Sequence, residues 1–457
     1  MAFSALVSPA AAEIGEHYSL YGDYLAGRFA LSQRDNEAAV EFFREALRKD
    51  PENVSIIERT FNLEVATADM QAAAKLAKQL LEIDEDHHLA RLVLGVDALR
   101  ARQYAAARRY FADGGATGPV TELTNTLMTA WSEQGAGDLD AALETLKGLD
   151  GGEWLTVYRA YHSALLADLA GDEEKADEYF AEAYRLDESV LRIAESYARF
   201  LARNGRHDEA LAVLAAYDKV SRDHPNTTAL RATLEAGRTP APFVGDPAAG
   251  AAESLYQIGG LLARQGGEDI GVIYLQLALH LKPNATMALL TLADIYERQR
   301  NYELAAEAYA RVPETAPLHL SAQIQRAHNL DALEQVEQAK SVLKDLIAAH
   351  PDETDPVRAL GDIERSHDQF AEAAEMYSAA IDMLEPIGED NWSLLYYRGI
   401  CYERTKRWPQ AEADFLRALE LQPDQPFVLN YLGYSWVDQG NPLERAMEMI
   451  RKAVELR

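Results

Sequence analysis

A small residue followed four places later by a large one recurs along this chain at a nearly fixed interval. That recurrence confines the fold more than any other feature of the sequence. Ala39 with Phe43 is the first such pair, and Ala73, Ala107, Ala142, Ala176 and Ala210 follow at steps of 34, 34, 35, 34 and 34 residues. After a longer step of 61 the frame resumes at Gly271 and runs through Ala305, Ala339, Ala373, Ala411 and Ala446. The large partner is Leu, Ile, Phe or Tyr at every one of these positions except Ala77. A small and a large residue at this spacing share one helix face, where the small one lets a neighbouring backbone approach. Twelve residues beyond the small position stand Pro51, Pro119, Pro283, Pro317, Pro351 and Pro423, each able to end one helix and open the next. Twelve residues before it a second small residue marks the preceding helix, as in Gly27, Gly95, Gly259 and Gly361, with Gly399 and Gly433 in the equivalent place near the end. Each unit is therefore predicted to be two antiparallel helices joined by a short turn.

Composition narrows the function classes. Of 457 residues, 74 are acidic and 44 basic, for a net charge of −30. That balance excludes a sequence-independent nucleic-acid binder and argues against docking on an anionic membrane. A single cysteine, Cys401, allows neither an intramolecular disulfide nor a cysteine-based zinc cluster. The length suggests about three ordinary domains at roughly 150 residues each, but the repeat replaces them with many small units of one kind.

The segment Leu395 to Pro423, LYYRGICYERTKRWPQAEADFLRALELQP, carries Gly399, Tyr402, Trp408, Ala411, Phe415, Ala418 and Pro423 at the positions that sign one family. It resembles a tetratricopeptide repeat, and the next unit, through Leu432, Gly433, Trp436 and Gly440, is similar. The resemblance implies an all-α fold: an α-solenoid, a right-handed superhelix of about twelve two-helix repeats, starting near residues 20, 54, 88, 121, 157, 191, 252, 286, 320, 354, 392 and 426. The second, fourth and ninth units depart from the signature at several positions. Other solenoids, with units of about 40 to 47 residues, do not fit the spacing.

Four segments are expected: a signal-like or flexible 1–19, a first array over 20–235, a Gly/Pro-rich linker over 236–251, and a second array over 252–457. The linker reads either as an exposed connection between halves that stack on or as a hinge between two lobes. MAFSALVSPAAA resembles the end of a secretory signal peptide with an A-x-A site, but it lacks a basic start. The last helix ends at Arg457 with no polar cap after it, as in a chain whose further repeats have been trimmed. No stretch reaches eighteen uninterrupted apolar residues, so no membrane span is predicted.

Motifs of chemistry are scarce. No H-E-x-x-H pair, phosphate-cradling glycine loop or nucleophile elbow occurs, and no cofactor or metal is expected. His87 and His88 read as a helix start, Cys401 as a buried small apolar side chain, and Asp172, Glu173 and Glu174 as helix-start charges. What remains is surface. In the family, the first helix of each unit lines a concave side where partner segments lie, at positions two, five, nine and twelve of the repeat. Carried onto this chain, those positions give Tyr24, Arg28, Tyr158, Tyr161, Arg192 and Arg199 in the first array, beside Glu195. In the second they give Tyr256, His328, Arg358, Arg365, Tyr396, Asn430 and Tyr434, beside Asp294 and Asp362. Tyrosine and arginine suit such a role, since each presents a broad surface with a polar tip, although a tyrosine at this spacing can equally be groove packing.

The resemblance thus implies a non-enzymatic scaffold that holds an extended segment or helix of a neutral or basic protein partner, with a role in bacterial envelope assembly and a periplasmic address by analogy with exported members. A cytoplasmic location is the other reading of the same start. The alternatives for function are an accessory subunit built into a large complex, or the recognition module of an enzyme whose catalytic domain is absent.

Overall fold

The computed structural model describes residues 19–112, 118–149, 151–384, 386–440 and 443–456. The expectations placed on residues 1–18 and on Arg457 lie outside them. Among the described residues the regular structure is helical throughout. The first pairs are α1 (Leu20–Ser32) with α2 (Asn36–Lys49), α3 (Val54–Ala66) with α4 (Met70–Ile83), and α5 (His88–Arg100) with α6 (Tyr104–Ala112). Next come α7 (Pro119–Gly135) with α8 (Leu139–Lys147), α9 (Glu153–Ala170) with α10 (Glu173–Leu186), and α11 (Leu191–Arg203) with α12 (His207–Tyr217). A single helix, α13 (Pro225–Glu235), precedes the non-helical stretch 236–246. The chain resumes with α14 (Pro247–Arg264) and α15 (Glu268–Leu281), then α16 (Thr286–Arg298) with α17 (Tyr302–Ala310), and α18 (His319–Ala332) with α19 (Val336–Ala349). It continues with α20 (Thr354–Ser366) and α21 (Phe370–Met383), α22 (Trp392–Arg404) and α23 (Trp408–Leu421), and α24 (Pro426–Asp438) with α25 (Leu443–Glu455). Below, the leading helix of each pair is its A helix and the other its B helix.

The recurring residues act as their spacing requires. A Cβ added to Gly27 would stand 2.8 Å from the Phe43 ring, one on Gly95 2.2 Å from Phe111, and one on Gly399 2.6 Å from Phe415. In these three pairs the A-helix glycine receives the large residue of its B helix, while Ala39, Ala107 and Ala411 are fully buried beneath it. The turn between them repeats as well. Arg34, Ala68, Arg102, Arg300, Glu334, Asp368 and Lys406 take left-handed backbone angles, where Gly137, Gly171, Gly205 and Gly266 stand in other units. The next residue caps the B helix: Asp35, Asp69, Asp138, Asp172 and Asn301 each accept an amide proton with the side chain. The expected roles of Asp172 and of His87, which caps α5, are therefore met.

The chain forms two compact units, residues 1–295 and 296–457, with the division inside α16. The 236–246 stretch lies within the first. There α13 packs on α11 and α12, whereas α14 packs on α7 and α15 on α3 and α5. The pair that follows the glycine- and proline-rich stretch thus returns to A helices far back in the chain.

Candidate protein-binding faces

In the first unit the A helices α3 to α11 meet a piece of their own chain. Proline at the start of α14 and the small residues behind it, Ala248 to Ala252, leave the helix a thin side. That side lies on Trp131 of α7, which is fully buried; a Cβ on Gly250 would stand 2.2 Å from its ring. Trp131 Nε1 donates to Ser254 Oγ at 3.0 Å. Further along α14, Glu253 accepts two hydrogen bonds from the Arg192 guanidinium at 2.9 and 2.6 Å, and Gln257 meets His162 at 3.3 Å. On α15, the Tyr274 hydroxyl lies 3.2 Å from Thr124, and Gln276 donates to the Ala66 carbonyl.

This interface is electrostatically closed. Arg192 also pairs with Glu195 at 3.1 Å and lies 4.2 Å above the Phe243 ring, which the 236–246 stretch supplies. Burial pushes the Glu253 carboxyl upward, but Arg192 outweighs it and holds the group below its ordinary value. Burial drives His162 down to about 4 against the opposing pull of Glu253, so the imidazole is neutral at pH 7. Arg199 is held by Glu195 at 3.2 Å and by the Ala241 carbonyl.

Most first-array residues expected to face a partner therefore face α14 or the stretch before it. Tyr161 is buried with its hydroxyl 3.5 Å from Glu253, and Arg192 and Arg199 are engaged as described. Tyr158 stacks on His162 at 6.3 Å, and Tyr256 is itself on α14. Tyr24 and Arg28 stand apart from this cluster on α1, the first half-buried against Phe43 and the second exposed. The residues that make the contact from α14, Glu253, Ser254 and Gln257, fall at the junction of the linker and the seventh repeat, where repeat positions carry no signal. The run of small residues from Ala248 to Ala252 is the one trace of a close approach in the sequence.

The second unit has a different A-helix face. On α20, Arg358, Asp362 and Arg365 share one side at spacings of four and three. Tyr377 donates to Asp362 at 2.7 Å and accepts from Arg365 Nε at 3.0 Å; burial and then Asp362 push its phenol far above the usual range. The Arg365 guanidinium lies 4.4 Å over Tyr397 of α22. Tyr397 touches Tyr396 at 5.3 Å, and Tyr396 meets Tyr431 of α24 edge-on at 6.0 Å. Tyr431 closes the series with a hydrogen bond to Glu403 at 3.1 Å. Arg358 is exposed and only loosely paired with Asp355 at 3.7 Å. Asn430 and His328 are half-buried, and Tyr434 is 57% exposed. Among the described residues of this unit no helix lies across that face as α14 does in the first.

Tetratricopeptide-repeat models match residues 256–318, 324–382 and 358–426, and a further one matches 24–53. With the helix pairs and their glycine contacts, they mark these segments as tetratricopeptide repeats within an all-α fold of two-helix units. Among solved structures, yeast Tom70 is 14% identical, with 96% of this chain and 92% of that one covered and a TM-score of 0.36. The Cut9–Hcn1 hetero-tetramer of the APC/C is 14% identical over 96% and 94%, TM-score 0.35. YrrB, described as a TPR protein with an unusual peptide-binding site, is 18% identical over 39% of this chain and 91% of its own, TM-score 0.31. No curated protein matches the chain.

Proposed function

We propose that the protein is a non-enzymatic scaffold that holds a segment of a partner protein on the A-helix face of α18, α20, α22 and α24. One observation carries the reading: the corresponding face of the first unit is filled by α14, while this one presents Arg358 and Tyr434 to solvent beside an aromatic series already held in place. A face whose side chains are ordered before the encounter loses less entropy when the partner arrives. Tyrosine and arginine, the residue types enriched at binding hot spots, stand on this face. With a net charge of −30 the partner is neutral or basic, and added salt slows the encounter.

The test is affinity capture from the source's soluble and membrane fractions with wild type and with Arg358→Ala plus Tyr434→Ala, both exposed side chains. The pair of substitutions is expected to lose a salt-sensitive partner that the wild type retains. Recovery of the same partners at the same salt concentration by both proteins refutes the assignment.

A further inference from the structure

The helix that fills the first unit leaves a cleft beside it. Between α9, α11 and α14 lies a cavity of about 230 Å³, walled by Val157, Ile193 and the rings of Tyr158 and Tyr256, with Gln257 and Arg264 at its polar edge. Arg192 also reaches it, but that guanidinium is taken by Glu253 and Glu195, and Gln257 donates to Glu253. Arg264 differs. It is exposed on the last turn of α14, and no carboxylate of the described residues pairs with it. What sets this arginine apart from the other unpaired ones is its place at the edge of an aromatic-walled cavity. The Tyr158 hydroxyl likewise makes no hydrogen bond among the described residues, and half-exposed Trp154 stands edge-on to its ring at 6.0 Å.

We propose that this cleft binds a small aromatic carboxylate, its ring against Tyr158 and Tyr256 and its carboxylate on Arg264. The volume suits one ring with a short acid arm and lies just below the range of about 300 to 1,000 Å³ typical of drug-sized ligands. One free guanidinium matches one carboxylate, which it can grip with two parallel hydrogen bonds. Glu253 and Glu195 close by repel a second negative charge, so a phosphate monoester is disfavoured. A free acid and the carboxyl-terminal aromatic residue of a peptide share this chemistry.

The experiment is calorimetric titration of the whole chain with phenylacetate, N-acetylphenylalanine and the neutral phenylacetamide. Wild type is expected to bind phenylacetate and not the amide, with affinity falling about tenfold or more in Arg264→Gln, whose exposed head is not needed for folding. Gly260→Leu supplies the second variant. A Cβ there meets only the flexible end of Arg264 at 3.4 Å and Thr291 at 3.9 Å, so the helix tolerates it while the longer side chain fills the cleft. Binding of N-acetylphenylalanine as tightly as phenylacetate assigns the ligand to a chain end, and weaker binding assigns it to a free acid. No heat with phenylacetate at millimolar concentration, or equal binding by Arg264→Gln or of the amide, overturns the proposal.

Discussion

Placing alanine at two glycines of the same helix should have opposite effects, and the contrast measures how α14 sits in the first unit. Gly250 and Gly260 are both buried in α14. Alanine in a helix interior is favoured over glycine by roughly 0.5–1 kcal/mol, and somewhat less in the first turn, where Gly250 lies. At Gly260 nothing opposes the gain, since the nearest atoms to an added Cβ stand at 3.4 and 3.9 Å. At Gly250 the Cβ would stand 2.2, 2.3 and 2.4 Å from three carbons of the Trp131 ring. That ring is fully buried and tied to Ser254, so it cannot turn aside without losing a hydrogen bond. Overpacking of this kind costs about 1–3 kcal/mol. Gly260→Ala is therefore expected to raise stability by up to about 1 kcal/mol and Gly250→Ala to lower it by about 1–2 kcal/mol. Repeat arrays need not unfold in one step, so amide hydrogen exchange over α7 and α14 is the suitable assay. The two variants should shift protection there in opposite directions, with the larger loss shared by α7 and α14. Equal protection in both would mean that α14 does not rest on Trp131, and the filled face of the first unit would fall with it.

Other outcomes follow from the same geometry. His162 titrates near 4 in the folded chain and near 6.5 when unfolded, so the unfolded chain binds the extra proton between those values. Its contribution, on the order of 3 kcal/mol, is complete above about pH 6.5 and is lost as pH falls toward 4; a His162→Gln variant should show a flatter melting temperature between pH 7 and 5. Gly95→Ala, 2.2 Å from the buried Phe111 ring, should cost about 1–3 kcal/mol, and much less when Phe111→Ala has already opened the space. A double-mutant cycle by urea denaturation with no coupling would contradict that contact. Ala68, at φ 66°, should accept glycine with a gain of up to about 1 kcal/mol in the same assay. Burial pushes the Cys401 thiol up to about 12, so a thiol reagent at pH 8 should modify it only at the rate of local opening, and at once in denaturant.

The helix pairs could be read from the sequence because their cause is local. A glycine meets a ring sixteen residues on, as Gly27 meets Phe43, and a period of 34 repeats that meeting until it stands out. Two parts were less visible. Arginine, alanine, glutamate, aspartate and lysine occupy the left-handed turn position in seven units, so no residue type announces it. Helix α13 falls outside the repeat frame altogether.

What the residues determined by themselves is the unit: two helices, a small residue under a large one, and a proline to start again. What only the tertiary structure decided is which A-helix faces stay free. Trp131 meets Ser254 across 123 positions, Thr124 meets Tyr274 across 150, and Gln276 reaches Ala66 across 210. Contacts of that range leave no period behind them. They depend on where the irregular stretch 236–246 sets α14 down, and so Tyr161 and Arg192, equal in pattern to Arg358 and Tyr434, end up facing α14, the first buried and the second half-buried.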